Sequence, residues 1–557
     1  MKKIFIGLFI LLCGFVLASC GNDGGKTETP KVEYNKKVNP TLEEGSDYIS
    51  HANTYNGKTF EYNEQMWYYN NLDKVPLPDP QIYEEDGVFY IVGTCDANVH
   101  VVMCYTTTDF NTFEKAGIIY NPATYKGWES SQPTIYAPEM YCFDGVYYLY
   151  YSALDKDGYR RNSVVQASSP LGPYEPIVND TVDGLHNPVF VDGNEKSHVL
   201  DTTIFVDDDG QMYMYYSVAS GGGQHLVGVK MDNPYTADWS TYVDLVRPGC
   251  TDSNFTNTSL RWELYHKICE APYMIKSNGK YYLTYSANGC WDKYYNVCYA
   301  VSDSPLGNFV KPYHPGKIWT NLLLGFPGDS NTGSKVYKQW SGFASGTGHH
   351  AFFNIGGQTM IVYHAHQNRD WNKGTFTQRY VAIDYLFFDE EGVPYCNGPT
   401  WSVQPLPEGI SGYKNIALDA TIRVENVENI EYVNDNYIED TYNLIEGEAL
   451  EVKLGEGYSF IEFEFDKEYE IGGIAIYNSV YYANMVEEAH YIDLGNGNAL
   501  IYPQFCLETY TNEELEFVHP SSAITVEFVK SIKTNRIIIA FNLPEGGSIN
   551  DIKILGK

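Results

Sequence analysis

One unit of sequence recurs five times in the first two thirds of this chain, and this repetition restricts the fold more than any other feature. Each copy is an apolar strand-like run, a turn containing glycine, and a second, Tyr-rich alternating run. The copies span residues 79–94, 137–152, 201–217, 271–286 and 348–364. Their turn glycines are Gly87, Gly145, Gly210, Gly279 and Gly357. The intervals between these glycines leave room for about four strands per copy.

Hairpins at such regular intervals favour a β-propeller. Four-stranded units arranged radially bury their faces against neighbouring units, and their innermost strands line a central channel. Asp-Gly or Asn-Gly at four of the turns supplies the positive φ angles that tight hairpins need. Five copies therefore predict five blades, which we place over residues 61–408.

The repeat stops after Pro399, and residues 413–557 follow a different pattern. This region has no helix-length periodicity, and its strand-like runs are Tyr458–Phe465, Ile471–Tyr477, Ile524–Phe528 and Arg536–Phe541. Short strands of this kind favour a β-sandwich. We therefore predict an all-β protein in which a five-bladed β-propeller is followed by a smaller β-sandwich domain.

The N-terminus predicts export. Lys2 and Lys3 precede an apolar run over residues 4–16 that is too short to span a membrane, and Leu17-Ala18-Ser19-Cys20 follows it. This ending resembles the bacterial lipobox, which implies a signal peptide over residues 1–19 and acylation of Cys20. An ordinary secretory signal with an incidental Cys20 is the alternative. Residues 20–60 read as a polar tether and a lead-in segment.

By this interpretation the protein is held by lipid at the bacterial outer membrane, on its periplasmic or cell-surface side, and touches the membrane through the anchor alone. The formal net charge of -34 argues against nucleic acid as a partner and favours neutral glycans over polyanionic ones. The eleven cysteines form no Cys-x-x-Cys pair, so zinc is not indicated and buried free thiols are favoured over a disulfide framework.

Acidic side chains stand where three of the five repeats begin. Asp79, Asp201 and Glu270 lie eight or nine residues before their turn glycines, and His349 has the same place in the fifth repeat. We expect these side chains to converge at one end of the channel. Inverting glycoside hydrolysis needs an acid and a base about 6.5 to 9.5 Å apart, and a third carboxylate can raise the pKa of the acid. Glu139 is a rival acid, but it lies out of this spacing and reads as a structural partner.

The sequence around these acids resembles glycoside hydrolase family 43. The resemblance rests on Pro78-Asp79-Pro80, Ala137-Pro138-Glu139, Asp201 before Phe205–Gly210, Glu270-Ala271-Pro272 and Gly348-His349. It implies an inverting five-bladed propeller that acts on arabinose-, xylose- or galactose-containing glycans, with Asp79 as general base, Glu270 as general acid and Asp201 as modulator of the pKa of the acid. It also implies a structural calcium ion near His349, and no cofactor for the chemistry itself. Residues 415–418 and 547–554 resemble the discoidin-like, galactose-binding type of sandwich, a possible carbohydrate-binding module.

Several alternatives remain open at this point. The leading expectation is an exo-acting α-L-arabinofuranosidase, with β-xylosidase, β-galactofuranosidase or exo-galactanase activity as alternatives. Loops 221–224 and 249–267 could close the channel mouth, whereas an open groove would fit an endo-arabinanase. Trp128 and Trp291 are candidate sugar platforms, and His364 and His366 read as structural. A catalytically silent sugar-binding propeller, or a retaining enzyme of the related family 32 with Asp79 as nucleophile, would also fit the repeats.

Overall fold

A computed structural model describes most of the chain after residue 47. The described residues are 34, 48–54, 62–70, 72–125, 127–177, 189–190, 197–220, 223–249, 263–264, 266–292, 294–312, 321–325, 344–367, 378–396, 398–400, 402–436, 451–479, 485–486, 488–495, 500–501 and 522–557. The predicted signal peptide, Cys20 and parts of both loops at the channel mouth lie outside them. Residues 40–557 form one compact unit. No helix within the described ranges is long and apolar enough to cross a bilayer.

Two strands come before the blades, and five antiparallel sheets then follow in chain order, which confirms the five-bladed propeller. The leading strands are β1 (Tyr48–Thr54) and β2 (Trp67–Tyr68). Blade one contains β3 (Gln81–Glu85), β4 (Val88–Gly93), β5 (Val102–Thr107) and β6 (Glu114–Tyr120). Blade two contains β7 (Tyr136–Phe143), β8 (Val146–Leu154), β9 (Arg160–Ala167), β10 (Glu175–Pro176) and β11 (Val189–Phe190).

The remaining blades have four strands each. Blade three contains β12 (His198–Val206), β13 (Met212–Ser220), β14 (Gly223–Asn233) and β15 (Thr236–Val246). Blade four contains β16 (Cys269–Ser277), β17 (Lys280–Ala287), β18 (Asn296–Ser302) and β19 (Leu322–Leu324). Blade five contains β20 (Ala344–Ile355), β21 (Gln358–Gln367), β22 (Arg379–Phe388) and β23 (Pro394–Cys396).

The repeated hairpins form the first two strands of each blade. In blade one, both turn residues Asp86 and Gly87 have positive φ, of 52° and 78°, which is the backbone requirement of a type I′ turn. Blades two and four repeat this pattern at Asp144-Gly145 and Asn278-Gly279. Blade three differs, because five residues separate β12 from β13. This longer turn matters for the alignment of the acids below.

The C-terminal region forms a ten-stranded sheet that includes β1. Between blade five and this sheet lie β24 (Gln404–Pro405), which pairs with β2, and the short helix α1 (Glu408–Ser411). The other strands are β25 (Lys414–Asn415), β26 (Thr421–Glu425), β27 (Val427–Glu428), β28 (Val452–Leu454), β29 (Gly457–Asn478), β30 (Tyr491–Asp493), β31 (Leu500–Ile501), β32 (Ser522–Leu543) and β33 (Gly547–Gly556). Single turns of 3-10 helix occur at Pro122–Thr124, Ala417–Asp419 and Ile430–Tyr432.

Two expected pairs of short strands are in fact two long strands. The runs predicted at Tyr458–Phe465 and Ile471–Tyr477 are both parts of β29, and those at Ile524–Phe528 and Arg536–Phe541 are both parts of β32. The exposed residues 466–468 carry β29 between its two halves. The register between β29 and β32 shifts across this stretch, between Glu464 and Tyr469, and again between Ile471 and Gly473. The strands therefore continue through an irregularity where the sequence suggests a break.

The propeller and the C-terminal sheet share one hydrophobic core. Trp67 of β2, Tyr363 of blade five and Tyr477 of β29 are all buried in it, together with Leu323 and Leu555. The hydroxyl of Tyr477 donates to the backbone oxygen of Val403 at 2.6 Å. Strand β1 also pairs over its whole length with β32. The C-terminal sandwich therefore packs tightly against the propeller. The domain boundaries given above, 61–408 and 413–557, stay a prediction.

Seven cysteines lie in the described part of the chain, and none of them forms a disulfide bond there: Cys95, Cys104, Cys142, Cys269, Cys290, Cys298 and Cys396. Five of the seven are buried, in keeping with their use as small apolar side chains.

Candidate active site

Every blade has a residue in left-handed backbone conformation within its inner strand or just before it. We call these five the head residues: Asp79, Ala137, Asp201, Ala271 and His349, with φ of 56°, 44°, 59°, 50° and 47°. Residues with a side chain adopt this conformation rarely, at a cost of about 1–3 kcal/mol each. In blades two to five the strand register shifts across the head residue, as in a β-bulge. The same local geometry thus recurs around the channel.

Four head residues are bound to the preceding blade through their backbone N–H groups. The acceptors are Oγ1 of Thr94, Oγ of Ser152 and Ser286, and Nδ1 of His364, at 2.7 to 3.1 Å. Each acceptor lies seven residues after its turn glycine. The bond from Asp79 to His364 joins blade one to blade five and closes the ring. These bonds fix the head residues at one end of the channel.

The fifth head residue breaks this pattern in a way that links two of the acids. The N–H of Ala271 donates to the carboxylate Oδ2 of Asp201 at 3.1 Å. The equivalent hydroxyl, that of Ser217, is buried and has no partner among the described residues. Because Ala271 directly follows Glu270, this bond couples the backbone beside Glu270 to the side chain of Asp201.

Asp79 is buried and held in its ionised form. Its Oδ1 accepts from Nη1 of Arg379 at 3.0 Å, and its Oδ2 accepts from the hydroxyl of Thr94 at 2.5 Å. The Nδ1 atom of His349 lies 3.3 Å from Oδ1. Burial by itself raises the pKa of Asp79, but the Arg379 charge, His349 and His364 outweigh it and hold the pKa well below its usual value. Asp79 is therefore a carboxylate at neutral pH, as a general base must be.

The pKa of Glu270 is shifted in the opposite direction, upward. Oε1 of Glu270 accepts from the hydroxyl of Tyr295 at 2.8 Å, and its Oε2 accepts from Nε2 of Gln224 at 2.9 Å. Burial has the largest effect on the pKa of Glu270 and raises it, and the negative charge of Asp79 raises it further. The two hydrogen bonds and Arg379 lower the pKa. The net result is a pKa of about 7. Glu270 thus keeps a proton at mildly acidic pH, which is what a general acid needs.

Asp201 connects these two groups electrostatically. Burial raises its pKa well above the usual value, and the negative charges of Glu270 and Asp79 raise it further, while the bond from the Ala271 N–H opposes the shift. The three carboxyl groups therefore influence one another's ionisation. Their pKa values are pushed apart, which is how neighbouring carboxyls take different acid and base roles.

The sequence spacing misaligned one of these acids. Asp201 and Glu270 both precede their turn glycines by nine residues, but Asp201 is a head residue whereas Glu270 stands one position before the head residue Ala271. The expectation that Glu270 is equivalent to the other two acids was wrong. The cause is the longer turn of blade three, which adds one residue between Asp201 and Gly210.

The rival acid Glu139 lies two residues after the head residue Ala137. Its carboxylate accepts from the hydroxyl of Tyr141, which also lies 2.9 Å from the hydroxyl of Thr203. Burial raises the pKa of Glu139 to about 8. Its partners thus belong to the inner strands of blades two and three.

The described residues around His349 do not fit the calcium ion that the family resemblance implies. Nowhere in the described part of the chain are three His, Cys, Asp or Glu side chains grouped as a metal-binding set. The nearest carboxylate, that of Asp79, already binds the Arg379 cation, which would repel a metal ion. Burial lowers the pKa of His349, so its ring is neutral beside Asp79. We derive no catalytic step that involves calcium.

The two candidate sugar platforms differ in accessibility. Trp128 is 4% exposed and stacks on Tyr151 at 6.2 Å between ring centroids, so its ring lies in the core rather than on the surface. Trp291 is 49% exposed and contacts His266 edge to face at 5.3 Å. Its sequence neighbour Cys290 lies within electrostatic range of all three acids, so Trp291 is adjacent in the chain to a residue near the site.

Four site residues were not assigned to the site from sequence. Arg379 and Tyr295 lie outside the repeated segments, Gln224 was noted only as part of loop 221–224 at the channel mouth, and His364 was expected to be structural. Two signals could have found them. His364 takes the same place in its repeat as Thr94, Ser152 and Ser286, and the glycine of Gly348-His349 leaves space for the ring of Tyr295, which a Cβ there would contact.

A five-bladed propeller that holds one ionised and two protonatable carboxyls at one end of its channel defines an acid–base site of the kind used in glycoside hydrolysis. The model for glycosyl hydrolases family 43 matches residues 68–394, more than half of the chain. The chain belongs to this family.

Three similar proteins illustrate the range of its relatives. The β-D-galactofuranosidase xynD of Aspergillus niger is 29% identical over 44% of this chain and 57% of its own length. The xylosidase/arabinosidase 43A of Humicola insolens is 28% identical over 48% of this chain and 75% of its own length. Among solved structures, an endo-1,4-β-xylanase from Bacteroides thetaiotaomicron is 26% identical, with a TM-score of 0.46 over 60% of this chain and 98% of that chain. The chain spans between about half and three quarters of the length of these two curated relatives.

Proposed function

We propose that this protein is an inverting, exo-acting glycoside hydrolase that removes terminal sugars from the side chains of plant-type polysaccharides. The observation that carries the proposal is the contrast between two carboxyl groups of one cluster. The pKa of Asp79 is held low by Arg379, whereas the pKa of Glu270 is raised to about 7 by burial. An ionised base and a protonated acid are the two groups that inversion requires.

In this mechanism Asp79 removes a proton from a water molecule while the oxygen of that water bonds to the anomeric carbon. Glu270 gives its proton to the glycosidic oxygen as the bond from that oxygen to the anomeric carbon breaks. The sugar leaves with the water oxygen, the rest of the glycan leaves with a hydroxyl group, and proton exchange with solvent resets both carboxyls. The charge of Glu270 raises the pKa of Asp201, and by the same repulsion an ionised Asp201 raises the pKa of Glu270. In this mechanism Asp201 is the member of the pair that ionises first, and it also acts through its bond to the backbone at Ala271.

The substrate is an arabinose-, xylose- or galactose-containing glycan, and α-L-arabinofuranoside is the leading choice. The relatives support this range by their names, one for β-D-galactofuranoside and one for xyloside and arabinoside. β-Xylosidase, β-galactofuranosidase and exo-galactanase activities are the alternatives within the family. The exposed ring of Trp291 is a surface on which a sugar can stack.

The test is a comparison of leaving groups in two variants. Wild type, Asp79→Ala and Glu270→Ala are assayed on α-L-arabinofuranosides, β-D-xylosides and β-D-galactofuranosides that carry either 4-nitrophenyl or the more acidic 2,4-dinitrophenyl group. Glu270→Ala should keep more of its activity on the dinitrophenyl substrate, which needs no protonation, while Asp79→Ala loses activity on both. Equal losses for the two substrates in Glu270→Ala would remove the acid assignment, and inactivity of wild type on every glycoside would favour a sugar-binding propeller.

We further propose that the mature protein is lipid-anchored at the outer membrane through Cys20. The support is the sequence of residues 1–20. A Cys20→Ala variant should be released from the membrane fraction and should no longer incorporate labelled fatty acid, whereas retention of both would contradict the anchor.

A further inference from the structure

A second cavity lies between blade five and the C-terminal sheet. Its volume is about 180 Å³, enough for roughly six waters at about 30 Å³ each. The lining residues that matter here are Gln358, Tyr385, Phe387, Gln404, Asn415 and Leu418. They come from both parts of the protein, so the cavity exists because the sandwich is packed against the propeller.

This cavity is far from the three acids. Strand β22 begins at Arg379, which contacts Asp79, and reaches the cavity at Tyr385 and Phe387. Six to eight residues of β-strand span roughly 20–26 Å at about 3.3 Å per residue. Gln358 also lies beside the turn of the β20–β21 hairpin, away from the head residue His349. A ligand here would not compete with one at the acids.

The lining combines flat rings with uncharged amides. Tyr385 and Phe387 stack with centroids 5.7 Å apart and planes 4° apart, on one side of β22, and both are partly exposed. Gln358 and Gln404 bind backbone oxygens through their Nε2 groups, and their amide oxygens are the acceptors that they contribute to the lining. Of the charged lining residues, Lys414 is paired with Asp419 at 2.8 Å. Apolar rings beside uncharged donors and acceptors suit a neutral, hydroxyl-rich molecule.

One lining group has an unmet hydrogen-bonding need. The Oδ1 atom of Asn415 accepts from the N–H groups of Ala417 and Ile554, at 3.2 and 3.0 Å. Because both of these partners are donors, the orientation of the amide is fixed. Its Nδ2 group is buried and has no hydrogen-bond partner among the described residues. A buried donor without a partner is costly, about 1–3 kcal/mol. The donor is closed off by the neighbouring side chains, so a ligand hydroxyl reaches and satisfies it through a small movement of the lining.

We propose that this cavity is a second binding site, for a neutral sugar unit of a glycan, separate from the site of hydrolysis. The rings provide a stacking surface and Asn415 donates to a sugar hydroxyl. The choice of glycan as ligand rests on the proposed function, whereas the site itself rests on the cavity and its lining.

Binding is tested in a hydrolytically blocked Asp79→Ala protein by calorimetric titration with arabinotriose, xylotriose and galactotriose. At least one trisaccharide should bind at two sites. Leu418→Trp, which enlarges a side chain that is 55% exposed and fills the cavity, should remove one of them. Val529→Trp is the matched control, because Val529 is 64% exposed and lies on β32 outside the cavity lining.

A second variant separates loss of the ligand from loss of the fold. Asn415→Asp keeps the acceptor for both backbone N–H groups but replaces the free donor by an acceptor, and should weaken this site at least tenfold. The proposal is wrong if no trisaccharide binds at a site sensitive to Leu418→Trp, or if Leu418→Trp and Val529→Trp have the same effect. Loss of binding in Leu418→Trp alone would support the site even if every glycoside resists hydrolysis, so failure of the hydrolase proposal is distinguishable.

Discussion

The guanidinium of Arg379 donates to Oδ1 of Asp79 at 3.0 Å and so joins the third strand of blade five to the head residue of blade one. Both groups are buried. An opposite charge within about 4–6 Å typically lowers the pKa of a carboxyl by 1–3 units. Arg379 is thus the largest of the influences that keep the proposed base ionised in a site where burial favours protonation.

Arg379→Met should shift the acidic limb of the pH profile. Loss of the positive charge raises the pKa of Asp79, so the base becomes protonated at a higher pH. The acidic limb of kcat/KM against pH should move upward by at least about one pH unit. Arg423→Met, at a 47% exposed side chain of the sandwich, serves as control. An acidic limb that stays in place would show that Arg379 does not set the pKa of the base.

Tyr295→Phe should move the basic limb instead. The hydroxyl of Tyr295 stabilises the ionised form of Glu270, so its removal raises the pKa of Glu270 above about 7. The limb should therefore move to higher pH while kcat falls, because the acid loses an orienting bond. Gln224→Leu removes the other bond and should act in the same direction. A shift of this limb to lower pH in either variant would contradict the assignment of Glu270 as acid.

Asp201→Asn should move the basic limb of the pH profile to lower pH. Asparagine keeps an oxygen for the Ala271 N–H but has no charge to repel the ionised form of Glu270. The pKa of Glu270 should fall toward its ordinary value, the basic limb should move to lower pH, and kcat at pH 7 should drop by up to about 10²-fold as the acid loses its proton. Identical pH profiles for Asp201→Asn and wild type would reject the role of Asp201 as modulator.

The sandwich should prove necessary for the stability of the propeller. Tyr477→Ala removes a ring from the shared core and its bond to Val403, and should lower the free energy of unfolding by about 3–5 kcal/mol in urea titrations. Val529→Ala, at an exposed position, should change it by less than about 0.5 kcal/mol. Deletion of residues 413–557 should yield insoluble protein. A soluble, fully active remainder would show that the sandwich is an independent module.

The propeller could be predicted because every blade contains the same local pattern of a glycine turn between two alternating strands. The glycine turns and the alternation of apolar residues act locally, so Gly87 and its counterparts indicate the hairpins without knowledge of the whole fold. The long strands β29 and β32 could not be predicted in the same way. Exposed charged residues at 466–468 interrupt the apolar pattern of β29, although its backbone continues through them.

The same distinction applies to the site. Asp79 and Asp201 could be found because they occupy repeated head positions, and Glu270 because it is next to one. Arg379 and Tyr295 reach the acids from positions that no repeat marks, and their proximity depends on how the blades close around the channel. The burial of Trp128 against Tyr151 likewise depends on tertiary packing, which a tryptophan in a loop does not reveal.

The most direct test of the account is the anomeric configuration of the first product. Proton NMR spectra recorded within the first minutes of hydrolysis of an α-L-arabinofuranoside, or of whichever glycoside the enzyme accepts, distinguish the two anomers before they interconvert. With Asp79 activating water and Glu270 protonating the leaving group, the account predicts a product of inverted configuration. A product of retained configuration would mean that a carboxylate attacks the sugar directly, and would contradict the roles assigned to both acids.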